Sequence, residues 1–388
     1  MTIQTQPVRT AAEQALSALL DQRLAQAGPA SGRVGALRRD AAAAFAAHGL
    51  PHRRVEEWKY TDLRAALRVA APPVDGFTAT AEAEADFRAL SLPHARRILF
   101  VDGQLSRAHS DLNALEPGLS VVPLATALAQ DSETLGALAP QRYDGPLALN
   151  TAFLGDGLEI RVAEGAQITR PLHVAHVFTG DDAAATFTRR LVHVGTGARV
   201  TLVESFSGRN GVAYQVNDAL ELAVGDDSHV DYIRVQEEAG TLESRARLVT
   251  LLLDHAVPHC ESRELFKTVL ADESHGVFQG KIVVRQAAQK TDGRMMSQSL
   301  MLGEFAQMDN KPELEIFADD VQCGHGATAG DLDEDLLFYL KARGIPAKEA
   351  EAMLIEAFVG EALEFVENDD LRDTLIARAH AWLKKRAA

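Results

Sequence analysis

Apolar positions recur at helical spacing near both ends of the chain and alternate with polar ones through its middle. Ala11, Ala12, Ala15, Leu16, Leu19 and Leu20 predict a first helix. The Ala-rich run from Ala36 to Ala47 predicts a second, with Gly28, Gly32 and Gly35 punctuating the join. The charged stretch Arg53 to Leu63 reads as a surface segment anchored by Trp58 and Tyr60. Residues 71–90, with Pro72-Pro73 and an acidic Ala-rich run, read as a loop or linker.

From about residue 96 the texture changes to strands. Ile98-Leu-Phe-Val101 followed by Asp102-Gly103 predicts a strand and a turn. From 158 to 322 strand-like runs are nearly unbroken, for example Leu158 to Val162, Leu191 to Val194, Arg199 to Val203 and His229 to Val235. A faint repeat runs through them. Val162-Ala-Glu-Gly165-Ala-Gln-Ile168 resembles Val194-Gly-Thr-Gly197-Ala-Arg-Val200, and Val224-Gly-Asp-Asp227-Ser-His-Val230 follows the same pattern, at spacings of 32 and 30 residues. Strand, tight turn and strand at such a period predict stacked coils, a β-solenoid, although a meandering antiparallel sheet would leave a similar trace.

After Gly330 helical spacing returns. Asp331 is the expected cap of a helix, with Glu334 three residues on and Leu336, Leu337 and Leu340 as its stripe. Gly344 ends that helix and Pro346 suits the start of the next. Ala350, Met353, Leu354, Ala357, Phe358, Ala362 and Phe365 form the next stripe. Asn368-Asp369-Asp370 precedes a third helix ending at Lys384-Lys385-Arg386. The expected organisation is an N-terminal helical region and linker over 1–95, a β core over 96–326 and a C-terminal helical domain over 327–388.

Composition narrows the function classes. The chain has 388 residues and a formal charge of −16, which disfavours a phosphate backbone as partner, so no nucleic acid is expected. No apolar run reaches membrane-spanning length, and Met1 to Arg9 lacks the apolar core of a signal peptide, so a cytoplasmic, membrane-free protein is expected. Two cysteines make a disulfide framework unsuited to this chain.

Signatures of common enzymes are missing. Gly276-Val-Phe-Gln-Gly280-Lys281-Ile282 falls one spacer short of a P-loop, and Gly195-Thr-Gly197 lacks the third glycine of a dinucleotide fingerprint. There is no His-Glu-x-x-His, no Cys-x-x-Cys and no Gly-x-Ser-x-Gly. The chemistry-bearing pair is Cys323 and His325, two residues apart at the end of a strand-like run. At that spacing a thiol and an imidazole can share one face of a strand, and both are metal ligands. A buried cysteine beside a turn-stabilising histidine accounts for them equally well. His259-Cys260 is a second such pair, but adjacent strand residues face opposite ways, and Cys260 reads as a small core hydrophobe. His173, His176, His193, His229 and His275 read as structural or surface histidines.

Residues 289–345 carry a family resemblance. They run through Lys311-Pro-Glu-Leu-Glu-Ile-Phe-Ala-Asp-Asp-Val321, Cys323-Gly-His-Gly-Ala-Thr328, Leu337-Phe-Tyr-Leu340 and Arg343-Gly-Ile345. With Glu56-Glu-Trp-Lys-Tyr-Thr61, Leu149-Asn-Thr-Ala-Phe153 and Gly276 to Val284, this block resembles the SufB/SufD family of iron–sulfur cluster assembly proteins. The Cys-x-His-Gly signature and the scarcity of cysteine place the resemblance on the branch that pairs with SufB, not on SufB itself. Gly324 stands where that branch often has Ser.

The resemblance implies a right-handed parallel β-helix flanked by helical regions, and a non-catalytic scaffold subunit. It implies a heterodimer with SufB and binding of the ATPase SufC through the C-terminal helices, with Phe358, Leu354 and Tyr339 as candidate contact residues. A homodimer through the same edge is open to the chain when it is alone. His325 and Cys323 are the candidate metal ligands for a transient Fe–S cluster shared with SufB, none being held stably by the isolated chain. Two other readings stand beside this one: a SufB-like subunit that itself accepts sulfur, and a β-helix enzyme acting on an extended polymer.

Overall fold

Strands that alternate apolar and polar residues pair here with strands two steps further along the chain, which is the topology of stacked coils. The computed structural model describes residues 9–26, 32–74, 76, 92–130, 133–140, 142–208, 211–237 and 246–387. The chain divides into two units, Met1–Thr241 and Leu242–Ala388. Each is mainly β, with a parallel β-solenoid at its centre. Most of the expected linker, residues 77–91, lies outside the described residues.

The first unit opens with α1 (Ala11–Gln26), α2 (Gly32–His48) and the short α3 (Leu63–Ala66). Trp58 is buried before α3 and anchors its segment, whereas Tyr60 is exposed, so one aromatic does the anchoring expected of two. Strands β1 (Arg96–Val101), β2 (Gln104–Leu105) and β3 (Leu119–Pro123) lead into α4 (Leu124–Ala129) and α5 (Gly145–Phe153). Six strands follow: β4 (Asp156–Val162), β5 (Leu172–Phe178), β6 (Ala184–Val194), β7 (Arg199–Gly208), β8 (Tyr214–Val224) and β9 (His229–Glu237). They form two sheets, ordered β2-β1-β5-β7-β9 and β3-β4-β6-β8, parallel except at β1–β2 and β3–β4. The turns stack as well as the strands. Gly165 N–H donates to Thr196 C=O and Gly197 N–H to Asp226 C=O, both at 2.8 Å. Gly165, Gly197 and Asp227 share a left-handed backbone, with φ of 69°, 67° and 54°. That shared conformation is the physical origin of the sequence repeat.

Ile98, Leu158, Ile160, Leu172, Val192 and Val200 fill the space between the two sheets. The outer face of β6 is covered by helices, where Leu16, Phe45, Leu149, Phe153 and Phe187 pack together. Arg189 and Arg190 are neighbours on β6 with opposite orientations, yet both are buried. Arg189 lies on the helix side, donating to Asn150 Oδ1 of α5 and, at 2.6 Å, to Glu221. Arg190 lies on the other, bonded to Glu204 and Asp218.

The second unit repeats the design with β10 (Ala246–His255), β11 (Glu261–Leu270), β12 (His275–Val284), β13 (Asp292–Met301), β14 (Gln307–Ile316) and β15 (Gln322–Gly330). Two parallel sheets result, ordered β10-β12-β14 and β11-β13-β15. Phe278, Ile282, Val284 and Met295 form the core between them. Helices α6 (Glu334–Ala342), α7 (Ala347–Leu363) and α8 (Asp369–Ala387) follow.

The cap of α6 is Asp333, not Asp331: its carboxylate accepts from the N–H groups of Asp335 and Leu336. Of the expected stripe of α7, Ala350 is buried, but further along it is turned by about one position, because Ile355 and Leu363 take the buried places while Met353 is exposed. Helix α7 packs by Ile355 against Leu300 of β13 and Leu383 of α8.

Candidate functional site

Parallel pairing without offset turns the sequence of the second unit into columns of side chains. Ser262 on β11, Gly293 on β13 and Cys323 on β15 are register partners. So are Glu264, Met295 and His325, two residues further along. Side chains two apart share a face of a strand, so both columns face the same way. Met295 belongs to the core between the sheets, and Cys323 packs against that same core. The pair at 323 and 325 therefore faces the solenoid interior at its last rung.

That rung is open. β15 ends its sheet and β14 ends the other, so among the described residues no further strand pairs with either. Met295 is 2% exposed, whereas His325, its register partner, is exposed and forms no hydrogen bond or ion pair among the described residues. The two edges differ in chemistry. β14 carries Lys311, Pro312 and Glu313, which discourage pairing. β15 reads Gln-Cys-Gly-His-Gly-Ala-Thr-Ala-Gly, with no proline and no lysine to guard it.

Behind the pair lies a set of groups that strand-by-strand reading misses. Glu264 is held by burial well above the ordinary carboxyl range, to about 7, although a hydrogen bond from Ser262 and the nearby Arg263 pull it down. Its Oε2 is buried without a hydrogen-bond partner. His255 Nε2 lies 3.0 Å from Ser262 Oγ, and burial holds that imidazole below its ordinary value, with Asp254 acting against it. The signal was present in the spacing: 262, 293 and 323 differ by 31 and 30 residues, a coil repeat visible only once the register is known.

His259 and Cys260 are not strand residues. His259 has a φ of 63° in the turn before β11, and Cys260 Sγ donates to Val257 C=O at 3.1 Å. His173 and His176 are buried in the first unit.

The helical candidates separate by exposure. Tyr339 is exposed on α6, as are Leu336 and Phe338, and α6 buries no residue at all. Arg343 donates to Tyr339 Oη at 2.9 Å. Leu354 on α7 is half-buried. Phe358 is half-buried too: it packs on the cluster of Leu300, Ile355 and Leu383, and Lys267 Nζ stands 4.4 Å from its ring centre.

Comparison with known proteins gives the same direction throughout. Residues 11–174 match the SufBD protein N-terminal region, and residues 176–247 and 241–358 match the SUF system FeS cluster assembly, SufBD core domain. The chain is 28% identical over 386 residues to the iron-sulfur cluster assembly protein SufD of Escherichia coli (strain K12), covering 85% of this chain and 88% of that one. An iron-sulfur cluster assembly SufBD family protein of Synechocystis is 29% identical over 395 residues, covering 84% and 86%. Protein ABCI7, chloroplastic, of Arabidopsis thaliana is 35% identical over 213 residues, covering 54% of this chain and 40% of that one.

Proposed function

The chain belongs to the SufB/SufD family of iron–sulfur cluster assembly proteins, and we propose that it acts there as the SufD-like scaffold subunit. In this reading β15 joins a SufB-like partner, and the partnership builds a nascent cluster and passes it on. The cluster is cargo, shared with the partner and held briefly. The observation that carries the reading is the unguarded edge of β15 with His325 exposed on it. A strand of small residues with open backbone groups suits pairing with a second solenoid.

The donor set supports sharing. A cluster takes about four ligands, and this chain has two cysteines, of which Cys323 lies on the open edge strand with the exposed His325 two residues on. His325 and Cys323 are the candidate ligands here, and the partner supplies the others. A SufC-like ATPase would dock on the C-terminal helices, where Leu336, Phe338 and Tyr339 lie exposed and Leu354 half-exposed. Among the described residues no helix is long and apolar enough to cross a membrane. We place the complex in the cytoplasm.

Co-expression with SufB-like and SufC-like proteins tests the reading. Wild-type chain is expected to co-purify with both and to support cluster formation after anaerobic reconstitution. His325→Ala should keep both partners but lower iron and sulfide content severalfold. Unchanged content in that variant removes His325 from the site, and failure to bind either partner removes the scaffold reading.

A further inference from the structure

A lysine sits inside an apolar contact of the second unit. Where α7 and α8 meet the outer face of β11 and β13, Leu300, Ile355 and Leu383 are buried, with Val269, Leu332 and Trp382 packed against them. Lys267 of β11 enters the same contact, and its side chain is only 4% exposed. Its ammonium stands 4.4 Å from the centre of the Phe358 ring and donates to the Glu361 carboxylate of α7. The Glu361 side chain is 59% exposed. The pair is therefore lopsided, a dry cation bonded to a wet anion. An ammonium taken out of water loses its hydration, and a carboxylate that stays in water returns only part of that loss. Lifting α7 gives the ammonium its water back, which a wholly apolar contact would not do.

The chain around this contact is built to let the helices move together. α7 and α8 hold each other: Glu356 Oε1 lies 2.6 Å from His380 Nε2 across them, and Arg372 of α8 donates to Val366 C=O in the turn between them at 3.2 Å. The connection back to the solenoid is loose by comparison. α6 buries no residue. Gly330 ends β15 before it and Gly344 follows it. Beyond their chain neighbours, neither glycine has an atom within 4 Å of where a side chain would begin, and Gly344 has a φ of 87°.

We propose that α7 and α8 are a releasable arm: they leave β11 and β13 as one body, tethered by α6, with the buried Lys267 as the built-in weak point of the contact. Release uncovers the outer faces of Val269 and Leu300. Away from the sheet the two helices lose the packing that supports them, so their amides exchange with solvent during release. The arm is a property of the chain by itself and stands whether or not a partner binds.

Hydrogen–deuterium exchange of the full chain, read peptide by peptide in a mass spectrometer, tests this. Peptides of α7 and α8 are expected to exchange at one common rate, faster than those of β11 and β13. Lys267→Met keeps an unbranched side chain in the contact and removes the ammonium, so it should slow exchange in both helices by roughly tenfold. Glu361→Gln is a change at an exposed side chain that leaves the ammonium dry and without its partner charge. It should speed exchange in both helices severalfold while the rate in β13 stays as it was. The opposite signs separate a weak point from an ordinary stabilising ion pair, for which both variants speed exchange. A Lys267→Met chain that exchanges faster than wild type, or that does not fold, overturns the proposal. So does a wild-type chain in which α7 and α8 exchange at unrelated rates, or no faster than β13.

Discussion

Arg190 and Asp218 face each other on neighbouring strands of the first unit, with side chains 1% and 2% exposed, and Arg190 Nη2 donates to Asp218 Oδ2 at 2.6 Å. Thr188 and Arg234 also reach Asp218, and Tyr232 Oη donates to Glu204 on the other side of Arg190. The attraction of Arg190 outweighs burial and holds the Asp218 carboxyl below its usual range. Removing one member strands the others. Asp218→Ala is expected to cost ~3–5 kcal/mol of stability, because it leaves buried charge without its main partner. Chemical denaturation of wild type and variant measures this; a loss below ~1 kcal/mol would show that solvent reaches the network.

His176 gives the same region a pH dependence. Its ring is stacked between Phe100 and Phe206, with centroids 5.0 and 4.4 Å away. Burial, with Arg190 and Arg234 nearby, pushes it down to about 3 against an opposing pull from Asp218. Between its unfolded value near 6.5 and that folded value, the unfolded chain binds the proton and the folded chain does not. Stability from this group is full above about pH 6.5 and declines as pH falls, by ~1.4 kcal/mol per pH unit. His176→Phe keeps the stack and should flatten the stability profile between pH 6 and 4. An unchanged slope would assign the acid sensitivity to other groups.

Glu264 works in the opposite sense. Its folded value, about 7, lies above the ordinary 4.5. Its contribution is full below about pH 4.5 and is lost as pH rises through 7, where the buried carboxyl must ionise. Glu264→Gln removes that loss while keeping an acceptor for Ser262. The variant should melt close to wild type at pH 5 and higher than wild type at pH 8. The same difference at both pH values would place Glu264 in water.

The sequence carried the solenoid further than it carried the site. Gly165, Gly197 and Asp227 betray the coil because a left-handed turn admits few residues, and that demand recurs each time the chain turns. Cys323 and His325 are legible as a pair because alternation along one strand is local. Their neighbours are not: Ser262 and Gly293 line up with Cys323 only through pairing across three strands, and nothing in a single strand records it. Buried Arg189 and Arg190 are similarly hidden, since an Arg-Arg step in a strand ordinarily means a wet face. The buried face of α7 is hard to read locally because five of its 17 residues are alanine, which fits either side.

Exposure divides the C-terminal helices into load and contact. Phe358→Asp places a charge against Leu300, Ile355 and Leu383 and should cost several kcal/mol, seen as a lower melting temperature. Phe338→Asp and Tyr339→Asp lie on exposed α6 and should leave melting unchanged while weakening capture of a SufC-like ATPase. Circular dichroism melting beside a pull-down separates the two. Normal capture by both α6 variants would move the ATPase contact off this helix.

The isolated chain, purified anaerobically, is expected to hold far less than one cluster per molecule, because two cysteines do not make up a ligand set. Full iron and sulfide occupancy without a partner would contradict the shared-site reading.

The bare edge of β15 has a consequence for how much of this protein a cell can make. A strand of Gly, Ala and Thr with no lysine or proline to turn strangers away accepts any complementary strand, including one from a second copy. Under the scaffold reading, surplus chains are expected to compete with the SufB-like partner for the same row of backbone groups and to self-associate. On that reading the subunit calls for matched synthesis: its supply has to follow that of whatever covers the edge, and imbalance is expected to show first as insolubility.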